Sequence, residues 1–131
     1  MGAQRVLMAP GMLGPLVVGG MAGASSRWAL GELLQSSSWW PWGIFVANAI
    51  GCFVLGFVLT SPLRRPAMAT ALGTGFCGSL TTLSSLTLEV ARLADQGAWS
   101  RSITYLLTTT VVGLSMAVAG VKLGEHRSDL R

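Results

Sequence analysis

Three long stretches of this chain contain no charged residue at all. They run from Trp42 to Leu63, from Pro66 to Leu88 and from Ser102 to Val121. A helix that crosses the hydrocarbon core of a bilayer needs roughly 20 mostly apolar residues, and each stretch has about that length. A fourth apolar segment, from Leu13 to Leu34, carries only Arg27 and Glu32 toward its end. The sequence therefore predicts an all-α membrane protein with four transmembrane helices.

The composition excludes an ordinary soluble domain. Only 11% of the residues are charged, whereas soluble domains have about 25%. Because the loops between the apolar segments are short, we expect residues 1–131 to form a single four-helix membrane domain. The net charge is +4, but the basic residues form no cluster longer than Arg64–Arg65, which argues against a nucleic-acid partner. We expect the first segment to be retained, because Pro10 and Pro15 interrupt it and equally apolar segments follow.

The distribution of basic residues predicts one fixed orientation. Four spans place both termini and the second loop on the same side of the membrane. That side carries Arg5, Arg64, Arg65, Lys122, Arg127 and Arg131. The other side carries Arg92 and Arg101, together with Arg27 if its side chain reaches outward. Since cytoplasmic loops are enriched in Lys and Arg, both termini are predicted to be cytoplasmic. Pro62–Pro66 reads as a tight turn, and Trp39, Trp40 and Trp42 as an aromatic belt at the opposite interface.

The third segment has an unusual concentration of small and hydroxyl residues. Six of the nine residues from Ser79 to Thr87 are Ser or Thr, and they follow Gly73, Gly75 and Gly78. Glycine weakens a helix, and Ser and Thr side chains compete for its carbonyl groups. The pattern predicts a helix broken near the membrane centre, where exposed carbonyl groups could coordinate a cation. A continuous helix with a hydroxyl-rich contact face is the alternative.

Polar residues at membrane depth are functional candidates, and each also has a purely structural interpretation. Asn48 lies beside a stripe of small residues, Gly43, Ala47 and Gly51, and could either bond a neighbouring helix or donate to a small anion. Tyr105 and Thr109 share one helix face, where Tyr105 could be an interface anchor or a pore residue.

The remaining polar candidates point away from catalysis. For Arg27 and Glu89, ion pairing or helix capping is the expected role. Cys52 and Cys77 are expected to be buried free thiols rather than a disulfide or a metal site. The sequence offers no nucleophile with an adjacent base, no paired catalytic carboxylates and no phosphate-binding loop. We therefore expect no enzymatic activity.

Three motifs resemble the Fluc (CrcB) family of fluoride channels. They are Gly19-Gly-Met-Ala-Gly-Ala-Ser-Ser-Arg-Trp28, Val46-Ala-Asn-Ala-Ile-Gly-Cys-Phe53 and Gly75-Phe-Cys-Gly-Ser-Leu-Thr-Thr-Leu-Ser-Ser-Leu-Thr-Leu-Glu89. The resemblance implies an antiparallel dimer in the bacterial plasma (inner) membrane that exports fluoride passively and so lowers cytoplasmic fluoride. It also implies a structural sodium ion that is not itself transported.

The resemblance carries over to individual positions. Gly78 and Thr81 match the sodium-holding residues, and Arg27 and Glu89 match polar positions that the family also carries. Residues expected along the fluoride pathway are Asn48, Leu83, Ser84, Leu86, Tyr105 and Thr109. Leu83 and Leu86 stand where the family has phenylalanines, so this chain lacks the electropositive ring edges there. Gly113 leaves one step of the polar face without a hydroxyl, and Ser79 replaces a usual glycine.

Three further roles stay open at this stage. The substitutions and the charge bias favour a poorly conducting subunit that pairs with a paralogue of opposite orientation, although pairing with itself is the alternative. A small proton-coupled multidrug exporter also has four short helices, but it needs a carboxylate deep in the first helix, and Glu32 lies near the end of that segment. A scaffold subunit without transport would leave the Gly, Ser and Thr pattern unexplained.

Overall fold

The computed structural model describes residues 11–35, 37–61 and 65–129, and all regular structure in these ranges is helical. The long helices are α1 (Leu13–Leu33) and α2 (Trp42–Thr60). The third segment begins with α3 (Pro66–Ala69), continues as a π-helix (Thr70–Cys77) and ends in α4 (Gly78–Leu80). It is followed by α5 (Leu83–Asp95) and α6 (Trp99–Asp129). The prediction of an all-α chain is confirmed for the described residues.

Two of these helices are long enough and apolar enough to cross a membrane. They are α2 over Trp42–Thr60 and α6 over Trp99–Ser128. Only 28% and 17% of their most apolar windows are buried inside the structure, so most of their apolar surface faces outward. A core helix of a soluble protein would bury most of that surface, and a lipid environment accounts for its exposure. The membrane location of the first and third segments stays a prediction.

The ends of two segments differ from the prediction. Helix α6 begins at Trp99 rather than Ser102 and continues beyond the predicted end at Val121, through the polar residues from Lys122 onward, to Asp129. The continuation packs against α2, because Ser128 Oγ donates to the Thr60 carbonyl at 3.2 Å. Helix α2 ends at Thr60; the predicted end at Leu63 and most of the predicted turn lie outside the described residues, as do Arg5, Arg64 and Arg131.

Close backbone contacts hold α2 against α6. A Cβ atom at Gly56 would strike the Ala117 carbonyl, and one at Gly120 would strike the Phe53 carbonyl. The two helices can therefore approach this closely only with glycine at both positions. At the end of the interface, Thr60 Oγ1 donates to the Val121 carbonyl at 3.1 Å. This pairing fixes the faces of α2 and α6 that border the candidate site.

Helix α1 packs against the π-helix in the same way. A Cβ atom at Gly19 would strike the Ala71 carbonyl, and one at Gly23 would strike the Phe76 carbonyl. The sequence did not predict the π-helix, in which the backbone is wider than in an α-helix. Thr81, which follows this segment, lies against Gly51 of α2.

The helical path of the third segment is interrupted at two residues. Thr81 has φ −78° and ψ 149°, and Thr82 has φ −151° and ψ 115°, so both are extended. Helix α5 then begins at Leu83, and the Thr82 side chain caps it by accepting a hydrogen bond from the Ser85 N–H at 3.1 Å. A threonine cap satisfies one of the free N–H groups of a first helical turn, which stabilises the start of α5 at this residue.

Candidate functional site

A cavity of about 400 Å³ lies where α2, the extended residues and α6 meet. We call it the Asn48 cavity. The family resemblance assigns ten residues to the fluoride pathway, the sodium site or the charged polar positions, and five of them line this cavity. No charged residue lines it. Its walls are Asn48, Cys52, Thr81, Thr82, Leu83, Leu86, Thr109, Thr110, Gly113, Leu114 and Ala117. An ion inside it would therefore be stabilised by dipoles rather than by opposite charge.

Asn48 makes two hydrogen bonds to the backbone of one residue. Its Oδ1 accepts from the Thr82 N–H at 2.8 Å, and its Nδ2 donates to the Thr82 carbonyl at 3.4 Å. The side chain is buried, so these bonds satisfy backbone groups that the extended conformation removes from the helix. Of the two interpretations of Asn48, a bond to a neighbouring segment is present. One amide proton is still free to donate.

Thr81 faces α2, but its N–H and hydroxyl groups bond within the third segment. Its N–H and its hydroxyl both donate to the Cys77 carbonyl, at 3.0 and 2.9 Å. A Cβ atom at Gly51 would strike the Thr81 methyl group, so the small-residue stripe predicted on α2 makes room for Thr81. Gly78 is exposed, and nothing lies within 4 Å of its Cβ position.

The two leucines that replace the family's phenylalanines have different environments. Leu83 lines the Asn48 cavity and is 74% exposed. Leu86 also reaches the cavity wall, but it is 7% exposed and packs with Leu93 and Tyr105. A larger side chain at position 83 therefore has free space around it, whereas position 86 has little.

Tyr105 and Thr109 lie on the face of α6 that points inward. Tyr105 is completely buried, and its hydroxyl donates to the Pro41 carbonyl only at 3.5 Å, the longest distance that counts as a hydrogen bond. Thr109 is 5% exposed; its hydroxyl lies near the Tyr105 phenol but makes no hydrogen bond of ordinary geometry with any described residue. The Tyr105 side chain is therefore a core residue of the described structure.

The structure does not bring every candidate to the cavity. Ser84 is exposed, with its Oγ 3.1 Å from Thr82 Oγ1, and it does not line the Asn48 cavity. Gly78 and Tyr105 are likewise absent from its walls. The cysteines are free thiols; Cys77 is buried and Cys52 is half-buried.

The two charged candidates differ in their partners. Glu89 accepts from the Arg92 guanidinium at 2.9 Å, as the expectation of ion pairing predicted. Arg27 is half-buried, and no acid in the described part of the chain pairs with it. Glu89 also lines a second cavity of about 270 Å³, the tryptophan cavity. Its other walls are Gly31, Leu34, Gln35, Ser38, Trp39, Trp40, Pro41, Trp42, Gly43 and Ile44.

Sequence reasoning missed Thr82 and Trp40. Thr82 was one of several hydroxyl residues, but it alone is held by Asn48 and also caps α5. A Thr immediately before the first residue of an apolar helical segment, here Leu83, is a usable N-cap signal. Trp40 was assigned to an interfacial belt, yet its ring packs edge-on against Tyr105 with ring centroids 5.1 Å apart. No local pattern predicts that contact, which joins residues far apart in the sequence.

Comparison with known families gives a match over most of the chain. The family model described as "CrcB-like protein, Camphor Resistance (CrcB)" matches residues 15–121. The matched range includes every residue that lines the Asn48 cavity.

Individual relatives give the same assignment. A protein of Oceanobacillus iheyensis named "Fluoride-specific ion channel FluC" is 38% identical over 112 residues, which cover 82% of this chain and 87% of the relative. "Fluoride-specific ion channel FluC 1" of Streptomyces avermitilis is 34% identical over 111 residues, covering 81% and 90%. "Fluoride-specific ion channel FluC 2" of Staphylococcus saprophyticus is 34% identical over 113 residues, covering 83% and 93%.

Proposed function

Because the chain belongs to the Fluc (CrcB) family, we propose that it is a subunit of a fluoride channel that lets fluoride leave the bacterial cytoplasm passively. The observation that carries this proposal is the Asn48 cavity, in which the buried Thr109 hydroxyl has no hydrogen-bond partner among the described residues. A buried, unpaired hydroxyl costs about 1–3 kcal/mol. A permeating anion would recover that cost by accepting the proton.

The chemistry of the cavity suits a small anion that must lose its water. Moving an isolated ion into an apolar medium costs tens of kcal/mol unless donors replace its hydration shell. The Thr109 hydroxyl and the free amide proton of Asn48 are two such donors. Thr110 contributes less, because its hydroxyl already donates to the Leu106 carbonyl at 2.8 Å. The absence of a cation from the walls would favour passage over tight binding.

A structural sodium ion fits the carbonyl groups around Thr81. In an uninterrupted helix the Gly78 carbonyl would accept from the Thr82 N–H, but that N–H donates to Asn48 instead. The Gly78 oxygen is thus released, and carbonyl oxygens of interrupted helices are sodium ligands in transporters. Gly78 and Thr81 would hold the ion through these oxygens. A second subunit would have to complete the ligand shell.

The channel would be an antiparallel dimer. Large apolar side chains are exposed over the helices, and lipid and a second subunit would share this surface. Those more than 60% exposed are Val18, Met21, Trp28, Leu33, Leu59, Leu83, Trp99, Val111 and Leu114. The partner would be a paralogue of opposite orientation rather than a second copy, because the basic residues are distributed unequally between the two sides. Relatives numbered FluC 1 and FluC 2 are in keeping with such pairs.

The alternative role within this family is a poorly conducting partner subunit. Leu83 and Leu86 form part of the cavity wall, and leucine has no quadrupole with which to stabilise an anion. Pore positions built from this chain's own residues would then conduct weakly, while the partner's positions carried most of the current.

The membrane would be the bacterial plasma membrane, with both termini in the cytoplasm. Of the basic residues that support this orientation, Arg65, Lys122 and Arg127 lie in the described part of the chain, and all three are exposed. Exposed basic residues next to apolar helices favour the cytoplasmic side.

The proposal is tested in a bacterial host whose own fluoride exporters have been deleted. The host would express this chain alone or with a candidate partner from the same genome, and fluoride in the medium would be raised stepwise. Expression of a channel subunit should restore growth at fluoride concentrations that stop the empty-vector host. The same cells carrying the Thr109→Val variant should grow less well. Membrane-inserted protein that gives no protection in either combination would contradict the proposal.

A further inference from the structure

Two buried polar side-chain atoms lack a hydrogen-bond partner among the described residues. They are Thr109 Oγ1 and the indole Nε1 of Trp40. Native structures leave few such atoms unpaired, so each requires an explanation. Thr109 already has one in the proposed fluoride pathway, whereas Trp40 lines the tryptophan cavity, to which no function has been given so far.

Both atoms belong to residues next to Tyr105. Thr109 follows Tyr105 by one turn of α6, and its hydroxyl lies near the phenol. On the other side, the Trp40 ring meets Tyr105 edge-on, at 5.1 Å between centroids and 86° between planes. The Tyr105 hydroxyl has only the long bond to the Pro41 carbonyl. Three hydrogen-bond donors therefore follow one another, namely Thr109, Tyr105 and Trp40. Tyr105 makes one long hydrogen bond, and the other two make none with the described residues.

This succession joins the two cavities. Thr109 lines the Asn48 cavity, and Trp40 lines the tryptophan cavity. Between them Tyr105 packs in a cluster with Leu86 and Leu93. An anion that passed from one cavity to the other along this line would meet a hydrogen-bond donor at each stage while apolar side chains excluded water.

We propose that the indole N–H of Trp40 is a fluoride donor that continues the Thr109–Tyr105 line into the tryptophan cavity. The inference rests on the proposed function and extends it to a residue that the sequence did not single out. An indole N–H can only donate a hydrogen bond. It can therefore bind an anion but offers no lone pair to a cation. The negative charge in the tryptophan cavity belongs to Glu89, and Arg92 pairs with it at 2.9 Å.

The direct test is the indole proton itself. The chain contains five tryptophans, so a ¹H–¹⁵N spectrum of the labelled protein in detergent micelles should contain five indole signals. The Trp40→Phe variant identifies the Trp40 signal, and Trp99→Phe identifies a control, because Trp99 is exposed and lines neither cavity. Adding sodium fluoride should move the Trp40 signal downfield, whereas equal sodium chloride should not. The Trp99 signal should stay constant in both salts.

A flux measurement tests the same donor during transport. Trp40 would be replaced by 3-benzothienylalanine, which has nearly the shape of tryptophan but carries sulfur in place of the N–H group. Fluoride efflux from liposomes should fall about tenfold or more, as expected for a lost hydrogen bond to a charged partner. The same replacement at position 99, which lines neither cavity, should leave the efflux unchanged.

The outcomes separate this inference from the proposed function. The protein could conduct fluoride while the Trp40 signal does not shift with fluoride and the benzothienylalanine variant conducts as fast as the parent. In that case the inference is wrong and the channel function stands. If neither fluoride efflux nor any spectral response to fluoride occurs in folded protein, both are wrong. A fluoride-specific shift of the Trp40 signal supports the inference even when the chain conducts poorly by itself.

Discussion

Asn48 and Thr82 are joined by two hydrogen bonds, one to each polar group of the Thr82 backbone. Thr82 N–H donates to Oδ1 at 2.8 Å, and Nδ2 donates to the Thr82 carbonyl at 3.4 Å. The amide thus replaces helical bonds that the extended Thr82 cannot make. Because Thr82 also caps α5, one side chain on α2 fixes both the interruption and the start of the next helix.

Replacing Asn48 with alanine should destabilise the protein. The Thr82 N–H would remain buried without an acceptor, which costs about 1–3 kcal/mol in the free energy of unfolding. Thermal or denaturant unfolding in detergent would measure the change. Ser115→Ala is the control, because this exposed hydroxyl bonds only the Val111 carbonyl and its removal should change little. An Asn48→Ala variant as stable as the parent would show that the two bonds do not hold the interruption.

Gly56→Ala should weaken the α2–α6 interface. The added methyl group would strike the Ala117 carbonyl, and overpacking of this kind typically costs 1–3 kcal/mol, roughly. Gly14→Ala is the matched control, since a Cβ atom there has nothing within 4 Å and alanine favours the helix by about 1 kcal/mol. The thermal unfolding midpoints of the two variants in detergent measure the difference. Equal midpoints would contradict the close packing of α2 on α6.

Thr109→Val should separate stability from transport. Valine keeps the shape of threonine but removes a buried hydroxyl that has no partner among the described residues, so the free energy of unfolding should stay constant or rise by about 1 kcal/mol. Fluoride efflux should nevertheless fall about tenfold. The neighbouring Thr110→Val variant removes an exposed hydroxyl that is already bonded. If both variants lower efflux equally, Thr109 has no special role in the pathway.

Leu83→Phe should increase fluoride efflux without loss of stability. The side chain is 74% exposed and lines the Asn48 cavity, so a ring fits there and its electropositive edge can face the anion. Leu86→Phe should instead cost about 1–3 kcal/mol, because that residue is packed in the Tyr105 cluster. Folded Leu83→Phe protein with unchanged efflux would rule out the ring quadrupole as the missing element.

The sequence predicted the helices well where charge and hydropathy decide them. Helices α1 and α2 begin at the expected residues, Leu13 and Trp42. The end of α6 could not be predicted, because Lys122 and the polar residues after it resemble a solvated tail. Packing of Gly124 against Thr60 keeps that part helical, and such tertiary contacts override local pattern.

The sequence predicted individual residues of the candidate site but not the contacts between them. Asn48, Thr81 and Thr109 were identified as polar groups at membrane depth, and all three line one cavity. The partner of Asn48 was not identified, because Thr82 lies 34 residues away along the chain. Trp40 was missed for the same reason: its ring contacts Tyr105, and an interfacial belt explains a tryptophan equally well from the sequence.

Fluoride efflux from liposomes tests the central claim most directly. The parent chain and the Leu83→Phe variant would be reconstituted separately, each together with a candidate partner from the same genome, and a fluoride electrode would record efflux beside empty liposomes, with chloride efflux measured in parallel. We predict fluoride efflux above the empty control, faster for the variant than for the parent, and no chloride efflux. Folded complexes of both forms that release no fluoride would contradict the claim that this chain is a subunit of a fluoride channel.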